Sequence, residues 1–361
     1  MEINTDTLGM LDLMVHPGFC VKENIIVKVN QPAASRTICA GTDVRELLLT
    51  GKEEYEIYEN GCLYLTLSIA EQPCGASVTR MGEYDVFILE QESDQSELQA
   101  MALAARELRE PLANVMTTAD RLFPLISAEE DAATREQVAR LNRGLFQMLR
   151  VISNMSDASR YSTSQPSHQV TQDVSGVLSE IFVRAQDLVT HAGITLTFRN
   201  LQNPVFSLLD AEKLERAVLN IISNAIKFTP EGGTIDASLT RRGNMLCLTI
   251  QDNGEGIGET VKGTVYSRYL RNPGLEDGRF GIGLGMVLIR SAATHHGGTV
   301  LINSGNGKGT RITMTLAIRQ NQNGILRSNI RGVDYAGERD HGLLELSGCL
   351  PHNLYDTKKI N

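Results

Sequence analysis

The sequence predicts a multidomain protein of the mixed α+β class. Its 361 residues are enough for about two or three units that each bury a core. Short apolar runs separated by turn residues predict strands at first, whereas from Leu98 the apolar residues recur every three or four positions, as in helices. We therefore expect an α+β module over residues 1–92, a two-helix hairpin over 93–165, an α/β unit over 170–318 and a tail of unassigned role over 319–361.

The composition is that of a globular protein, with 42% hydrophobic and 21% charged residues. The formal net charge of -9 argues against a general nucleic-acid surface, because such a surface needs clustered Lys and Arg. No apolar run approaches the roughly 20 residues that span a bilayer, and the N-terminus lacks a basic region followed by an apolar one. We expect a cytoplasmic protein without a membrane span that binds no nucleic acid.

The first 92 residues predict an antiparallel sheet. Phe19–Val21 and Ile25–Val29 flank a Lys-Glu-Asn turn and predict a first hairpin. A second hairpin is predicted across Asn60-Gly61, because this dipeptide readily takes positive φ values. The strands of this second hairpin would be Tyr55–Tyr58 and Leu63–Leu67.

Residues Gly18–Ala33 resemble the opening of PAS domains, which are small sensor modules. Any other small antiparallel sheet explains the same pattern equally well, so both interpretations stay open. The other elements predicted in this module are strands at Ala76–Arg80 and Val86–Leu89 and a short helix at Val44–Leu49.

Two apolar seams predict a pair of antiparallel helices. The first consists of Leu98, Met101, Ala105, Leu108, Leu112, Val115, Ala119, Leu122 and Ile126, and the second of Val138, Leu141, Leu145, Met148, Ile152 and Met155. A single hairpin would expose too much of these seams, so we expect a homodimer through residues 93–165, with a four-helix bundle. Pro111 lies inside the first helix and predicts a kink there.

A first group of candidate ligands lies on a predicted helix of the α/β unit. Asn220 and Asn224 are four residues apart and therefore share a helical face. Their amide oxygens suit a hydrated Mg²⁺ ion, and Lys227 is near enough in sequence to add a phosphate contact. Two asparagines on a helix are also common at ordinary surfaces, so this pattern alone decides nothing.

Two glycine-rich segments complete the pattern. Asp252 follows an apolar strand and can accept a hydrogen bond from an exocyclic amine, while the glycines after it let a flat base approach the backbone. The segment Arg279–Met286 opens a helix whose unpaired N–H groups favour phosphate. Either segment alone would also fit a tight turn. The candidate binding residues here are Asp252, Gly254, Gly256, Gly281, Gly283, Leu284 and Gly285.

Together and in this order, the three segments resemble the N, G1 and G2 boxes of GHKL ATPases. That family includes histidine kinases, type II topoisomerases, mismatch-repair ATPases and heat-shock chaperones. Tyr266–Arg271 is similar to the F-box of sensor histidine kinases. The resemblance implies a Bergerat-type α/β sandwich over residues 170–318 that binds ATP, with Mg²⁺ held through Asn220 and Asn224. It also implies an ATP lid whose phosphate contacts are Arg268, Arg271 and Arg279.

The hairpin carries a second resemblance to histidine kinases. Arg106–Leu112, RELREPL, agrees at five of seven positions with the usual H-box, HELRTPL. In that family ATP phosphorylates the H-box histidine, and the phosphoryl group then passes to an Asp of a response regulator. Here Arg106 takes the place of that histidine, and a protonated guanidinium offers no nitrogen lone pair for attack. Glu107 matches the assisting acid, and Glu110 replaces a Thr that positions water for regulator dephosphorylation.

Three functions fit these motifs, and whether the protein is an enzyme stays open. The first is a two-component sensor of the histidine-kinase type that binds Mg-ATP but lacks the usual acceptor. The second is a non-catalytic scaffold, or pseudokinase, in which ATP switches the bundle for a partner. The third is a GHKL kinase of Ser or Thr, against which the two-helix module argues. A response regulator or another signalling protein is the expected partner.

Overall fold

The N-terminal elements follow the apolar runs of the sequence. The computed structural model describes residues 8–9, 11–12, 14–129, 132–162, 169–256, 284–305, 307–319 and 339–356. The elements of the N-terminal module are β1 (Gly18–Lys22), β2 (Ile25–Val29), α1 (Gln31–Ala34), α2 (Val44–Leu47), α3 (Lys52–Glu56), β3 (Cys62–Ile69), β4 (Gln72–Met81) and β5 (Tyr84–Leu89). The hairpin of β1 and β2 is present as predicted, with positive φ at Glu23 and Asn24, as a two-residue turn of that kind requires.

The second predicted hairpin is wrong. Residues before Asn60 form helix α3, which follows Gly51 in the left-handed conformation, and β3 pairs with β4 across Ala70 and Glu71. The Tyr55 hydroxyl donates to Asp85 at 2.9 Å, so packing and a buried hydrogen bond override the strand preference of this segment. Gly61 does take a positive φ of 94°, but it joins a helix to a strand.

Two long helices follow, α4 (Glu92–Glu129) and α5 (Ala132–Ser162). Pro111 and Pro124 both lie within α4, so the helix ends at neither of them. The two helices pack against each other as a hairpin through a small apolar cluster of Ala105, Leu112, Met116, Ala119, Leu145 and Ile152.

The C-terminal half alternates helices and strands, as the sequence predicts. Its elements are β6 (Val170–Asp173), α6 (Val174–Thr190), β7 (Thr195–Asn200), β8 (Phe206–Leu209), α7 (Ala211–Phe228), β9 (Thr234–Arg242), β10 (Met245–Asp252), α8 (Leu284–His295), β11 (Val300–Ser304), β12 (Thr310–Ala317), α9 (His341–Glu345) and a 3-10 helix at His352–Tyr355. Strands β6 and β8 form an antiparallel pair that the sequence does not predict.

Ten of the strands that the structure describes form one sheet, in the order β2-β1-β5-β4-β3-β11-β12-β10-β9-β7. The pair β7–β9 is parallel and the others are antiparallel. Strand β3 pairs with β11, where Leu63 lies opposite Leu301 and Tyr64 opposite Val300. The sheet therefore runs without interruption from the N-terminal module into the α/β unit, and the mixed α+β class is confirmed.

The main core lies where helices α6, α7 and α8 pack on the C-terminal part of the sheet. Helix α7 is strongly amphipathic, because Val218, Ile221 and Ile222 are buried in this core. A different stripe of α7 carries Arg216, Asn220, Ser223 and Lys227, and it faces α5 and the C-terminal segment. That polar stripe is where the candidate site is built. Within the described ranges, no helix is both long and apolar enough to cross a bilayer.

Candidate functional site

The end of strand β10 holds the first functional group, Asp252. Its side chain is 6% exposed, and its Oδ1 atom accepts hydrogen bonds from the backbone N–H groups of Gly254 at 2.9 Å and Thr310 at 3.0 Å. Burial raises the pKa of Asp252 above its ordinary value, although these two donors act in the opposite direction. In the described part of the chain no hydrogen bond reaches the other oxygen, Oδ2. The carboxylate is thus fixed by one oxygen and can accept from a ligand with the other.

The glycines after Asp252 allow this loop to pack against the end of α7. A Cβ atom at Gly254 would clash with the carbonyl oxygen of Phe228, and one at Gly256, where φ is 75°, would clash with that of Gly305. The N–H of Glu255 donates to the Phe228 carbonyl at 3.1 Å. The loop is therefore tied to the helix that carries the two asparagines.

Asn220 lies at the meeting point of α7 and the start of α8. It is 2% exposed, and a Cβ atom at Gly285 would stand only 3.1 Å from its Oδ1 atom. This Oδ1 accepts from Arg150 Nη2 on α5 at 3.1 Å, while Nδ2 donates to the Arg216 carbonyl at 2.9 Å and to Glu345 at 3.3 Å. The structure thus brings the N-like and G2-like segments together, with Asn220 already engaged by α5 and α9.

Asn224 and Lys227 lie on the next two turns of α7, and both are half-buried. The Asn224 side chain makes no hydrogen bond within the described ranges. Burial lowers the pKa of Lys227, and the positive charge of Arg150 lowers it further. This part of the helix therefore combines an amide available to a ligand with cationic groups suited to an anion.

A cluster of charged side chains that the sequence did not predict joins α5, α7 and α9. Arg216 is 1% exposed, forms an ion pair with Asp157 and donates from Nε to Glu345 Oε1 at 3.0 Å. Glu345 is fully buried, and its Oε2 atom also accepts from Arg150 Nε at 3.2 Å. The sequence offered one indication each for Arg216 and Glu345. Arg216 is one turn before Asn220 in an apolar helix, and Glu345 stands within the leucine-rich run LLELSG.

Several predicted site residues lie outside the described residues. They are Arg268, Arg271, Arg279, Gly281 and Gly283, together with the F-box-like stretch Tyr266–Arg271. Of the G2-like segment, Leu284 is described; it is buried and packs with Val287 and with Leu98 of α4. The start of α8 is therefore in contact with the hairpin.

Arg106 and Glu107 are exposed on α4, directly after the buried Ala105. No ion pair or hydrogen bond joins either side chain to another described residue. Arg106, which the H-box resemblance aligns with the phosphoacceptor, thus faces outward. Glu110 is exposed one turn further along the same helix.

His296 has a structural place beside this site. It is buried at the end of α8, where its Nε2 atom accepts from the Asp210 N–H at 3.0 Å and its Nδ1 atom lies 2.7 Å from the Ala292 carbonyl oxygen. Burial is the main cause that lowers the pKa of His296 to about 4. The neutral ring therefore links the end of α8 to the N-cap of α7.

Comparisons with known proteins show what this fold and site are similar to. Residues 209–320 match the family described as histidine kinase-, DNA gyrase B-, and HSP90-like ATPase. The chain is 29% identical over 231 residues to the sensor histidine kinase RppB of Synechocystis sp., covering 63% of this chain and 50% of RppB. It is 27% identical over 249 residues to the sensor histidine kinase WalK of Bacillus subtilis, covering 66% and 39%. Residues 209–320 therefore carry an ATPase domain of this family, and the chain is similar to sensor histidine kinases over 63–66% of its length.

Two further histidine kinases are similar over a comparable part of the chain. Hybrid signal transduction histidine kinase D of Dictyostelium discoideum is 26% identical over 239 residues, covering 64% of this chain and 15% of that protein. Full-length ShkA, in a crystal structure with AMPPNP, has the same fold over 62% of this chain and 46% of ShkA, at a TM-score of 0.51 and 19% identity. This chain thus spans half or less of the length of each of these relatives.

Proposed function

We propose that this protein is a histidine-kinase-like signalling protein that binds Mg-ATP between α7, the end of β10 and the start of α8. Two contacts carry the proposal: Asn220 lies against Gly285 at the start of α8, and the glycine loop after Asp252 packs on the end of α7, the helix that carries Asn220. The carboxylate can accept from the adenine amine, and the first N–H groups of α8 favour phosphate. The similar fold of ShkA, which binds AMPPNP, supports a nucleotide as the ligand.

The polar stripe of α7 fits a magnesium ion bound together with the nucleotide phosphates. Mg²⁺ prefers oxygen ligands and keeps several waters, and the unengaged amide of Asn224 offers such an oxygen. Asn220 would be the second holder once its contacts to Arg150 and Glu345 are released. The ion would neutralise charge on the phosphates. Among the described contacts, Lys227 has no acidic neighbour on α7. It would contact a phosphate oxygen.

We propose that the hairpin does not accept the phosphoryl group from ATP on the usual residue. Arg106 is exposed where the H-box histidine is expected, and its guanidinium stays protonated. Glu107, in the place of the assisting acid, has no nucleophile to assist. The alternative function is a pseudokinase scaffold, and the same arginine is the observation that favours it.

The hairpin also supports the proposal of a homodimer through residues 93–165. Four of the nine residues of the first predicted seam and three of the six of the second are buried within the chain, whereas four and two of them, respectively, are exposed. The exposed apolar residues include Leu108, Val115, Leu122, Leu141 and Met148. Most of them are spaced by seven residues, as expected of a second packing face in a four-helix bundle. A response regulator or another signalling protein is the proposed partner, and residues 1–92 the proposed PAS-like sensor module.

Replacing the arginine tests whether only the acceptor is missing. We expect wild-type protein incubated with γ-labelled ATP to stay unlabelled, and Arg106→His to gain acid-labile label, because the histidine supplies the lone pair. Arg109→His, exposed one turn further along α4, is the matched control and should stay unlabelled. Acid-labile label on the wild-type protein would show that another histidine is used. An Arg106→His protein that binds ATP but takes no label would mean that the ATP site does not serve the hairpin.

A further inference from the structure

The C-terminal segment 341–356 lies across the polar stripe of α7. Glu345 contacts Asn220 and Arg216, and the Sγ atom of Cys349 lies 3.8 Å from Ser223 Oγ. A Cβ atom at Gly348 would lie 3.7 Å from Lys227 Cε. The segment therefore follows the stripe from its first turn to its last.

The buried carboxylate of Glu345 is an anion shared by two arginines, one of which, Arg216, also pairs with Asp157. Its two oxygens accept from Arg216 and Arg150 at 3.0 and 3.2 Å, while Lys227 stands close to Arg150. Buried guanidinium groups need a paired anion, because an uncompensated buried charge strongly destabilises the fold. A triphosphate is an anion that could replace this carboxylate.

The same contacts engage the amide expected to approach magnesium. The Oδ1 atom of Asn220 accepts from Arg150 and its Nδ2 atom donates to Glu345, so these two contacts hold the orientation of the amide. Two further anchors hold the segment on α5. The Ser347 carbonyl accepts from Arg143 and Gln147 at 3.0 and 2.9 Å, and the Tyr355 ring packs edge-on against Phe146 at 5.2 Å.

We propose that segment 341–356 is an intramolecular inhibitor of the nucleotide site, in which Glu345 occupies the place of a nucleotide phosphate. Binding of the segment and binding of Mg-ATP to the polar stripe of α7 are then mutually exclusive. This inference rests on the proposed function, because it presumes that the nucleotide binds along that stripe. Signals that release the segment would open the site, and a bound nucleotide would displace it.

A reversible cross-link tests the proposal in the full chain. In Ser223→Cys, the new thiol faces Cys349, and oxidation with diamide should join them and lock the segment onto α7. We expect the oxidised protein to bind Mg-ATP at least tenfold more weakly than the same protein after reduction with dithiothreitol. Ser223→Cys combined with Cys349→Ser is the matched control and should respond to neither reagent. Peptide mapping verifies the cross-link.

A second variant acts in the opposite direction. Glu345→Gln keeps the shape of the side chain but removes its charge, so Arg150 loses its carboxylate partner until a nucleotide supplies an anion, while Arg216 keeps Asp157. We expect its affinity for Mg-ATP to rise at least tenfold over wild type, with circular dichroism as the check of folding. Equal binding by the oxidised and reduced cross-linking variant would overturn the inference and leave the proposed function standing. Absence of binding in every variant and state, Glu345→Gln included, would overturn the proposed function itself.

Discussion

Asp252 uses its two carboxylate oxygens differently. Oδ1 accepts from the Gly254 and Thr310 backbone, which fixes the plane of the carboxylate at the end of β10. Among the described residues no group donates to Oδ2, so the fixed plane of the carboxylate alone sets its direction. A group fixed in this way can distinguish a base that presents a donor from one that presents an acceptor.

Replacement of Oδ2 by an amide NH₂ group should therefore change the preference for the nucleotide base. In Asp252→Asn, the side-chain oxygen stays with the two backbone donors and the amide NH₂ takes the place of Oδ2. We expect the affinity for ATP to fall by roughly 30-fold, about 2 kcal/mol, and the preference over inosine triphosphate to be lost. Calorimetric titration with both nucleotides measures this. Asp187→Asn, at an exposed position of α6, is the control. Unchanged discrimination in Asp252→Asn would place the adenine elsewhere.

The residues foreseen from the sequence are those whose chemistry is local. Asn220, Asn224 and Asp252 stand in short segments with informative spacing, and no partner is needed to recognise them. Arg150 and Glu345 were not predicted as site residues, because their roles come from contacts with Asn220 across 70 and 125 positions of the chain. Such pairs exist only after the helices have packed.

At the level of elements, the hairpin presents one buried and one exposed apolar face. In α4, Ala105, Leu112 and Ala119 pack inside the chain. The positions between them, such as Leu108 and Val115, are exposed. Removal of this second face from water is the expected driving force of dimerisation.

A charge on that face should separate the subunits. We expect Val115→Glu to raise the Kd of the dimer by roughly 100-fold or more, because two carboxylates would be buried without partners. Sedimentation equilibrium measures the shift. Asn114→Glu adds the same charge at the adjacent exposed position and should leave the dimer intact. If Val115→Glu dimerises as tightly as wild type, the exposed face of α4 is not the interface.

The contact between α8 and the start of α7 depends on a neutral His296. Its pKa in the folded protein, about 4, is below the ordinary value of 6.5, so the unfolded chain binds a proton that the folded chain excludes. Its contribution to stability is complete above about pH 6.5 and is lost as the pH falls toward 4, by up to about 3 kcal/mol.

Replacement of the His296 ring should weaken the pH dependence of the free energy of unfolding. We expect the free energy of unfolding of His296→Gln to change less between pH 6.5 and 4 than that of wild type, since glutamine does not titrate. Urea unfolding across this range is the measurement. His191→Gln, at an exposed position after α6, is the control and should keep the wild-type slope. Equal slopes in His296→Gln and wild type would mean that His296 is not the titrating group.

The elements themselves were partly predictable, and the errors have a physical cause. The turn at Glu23 and Asn24 was foreseen because both flanking runs are apolar and short. The turn at Asn60-Gly61 was foreseen as a turn, yet the segment before it is a helix. Local turn chemistry predicts where the chain reverses, whereas burial of Tyr55 against the sheet decides what precedes it.

On the scale of the whole molecule, one sheet joins the N-terminal module to the nucleotide-binding half. The pairing of β3 with β11 provides the continuity, and Arg290 of α8 adds an ion pair with Glu90 and a position 5.0 Å over the ring of Tyr64. Apolar periodicity could not predict this pairing, because any exposed strand edge presents the same backbone groups. A change in the module can therefore reach α8, the helix that begins at the proposed nucleotide site.

The measurement that tests the central claim most directly is a calorimetric titration of the full chain with ATP, with and without Mg²⁺. Wild type and Glu345→Gln are titrated side by side. We predict binding that is tighter with Mg²⁺, stronger in Glu345→Gln, and weakened when Asp252→Asn is added to either protein. No binding of ATP by either protein under either condition would contradict the assignment of a nucleotide site to α7, the end of β10 and the start of α8.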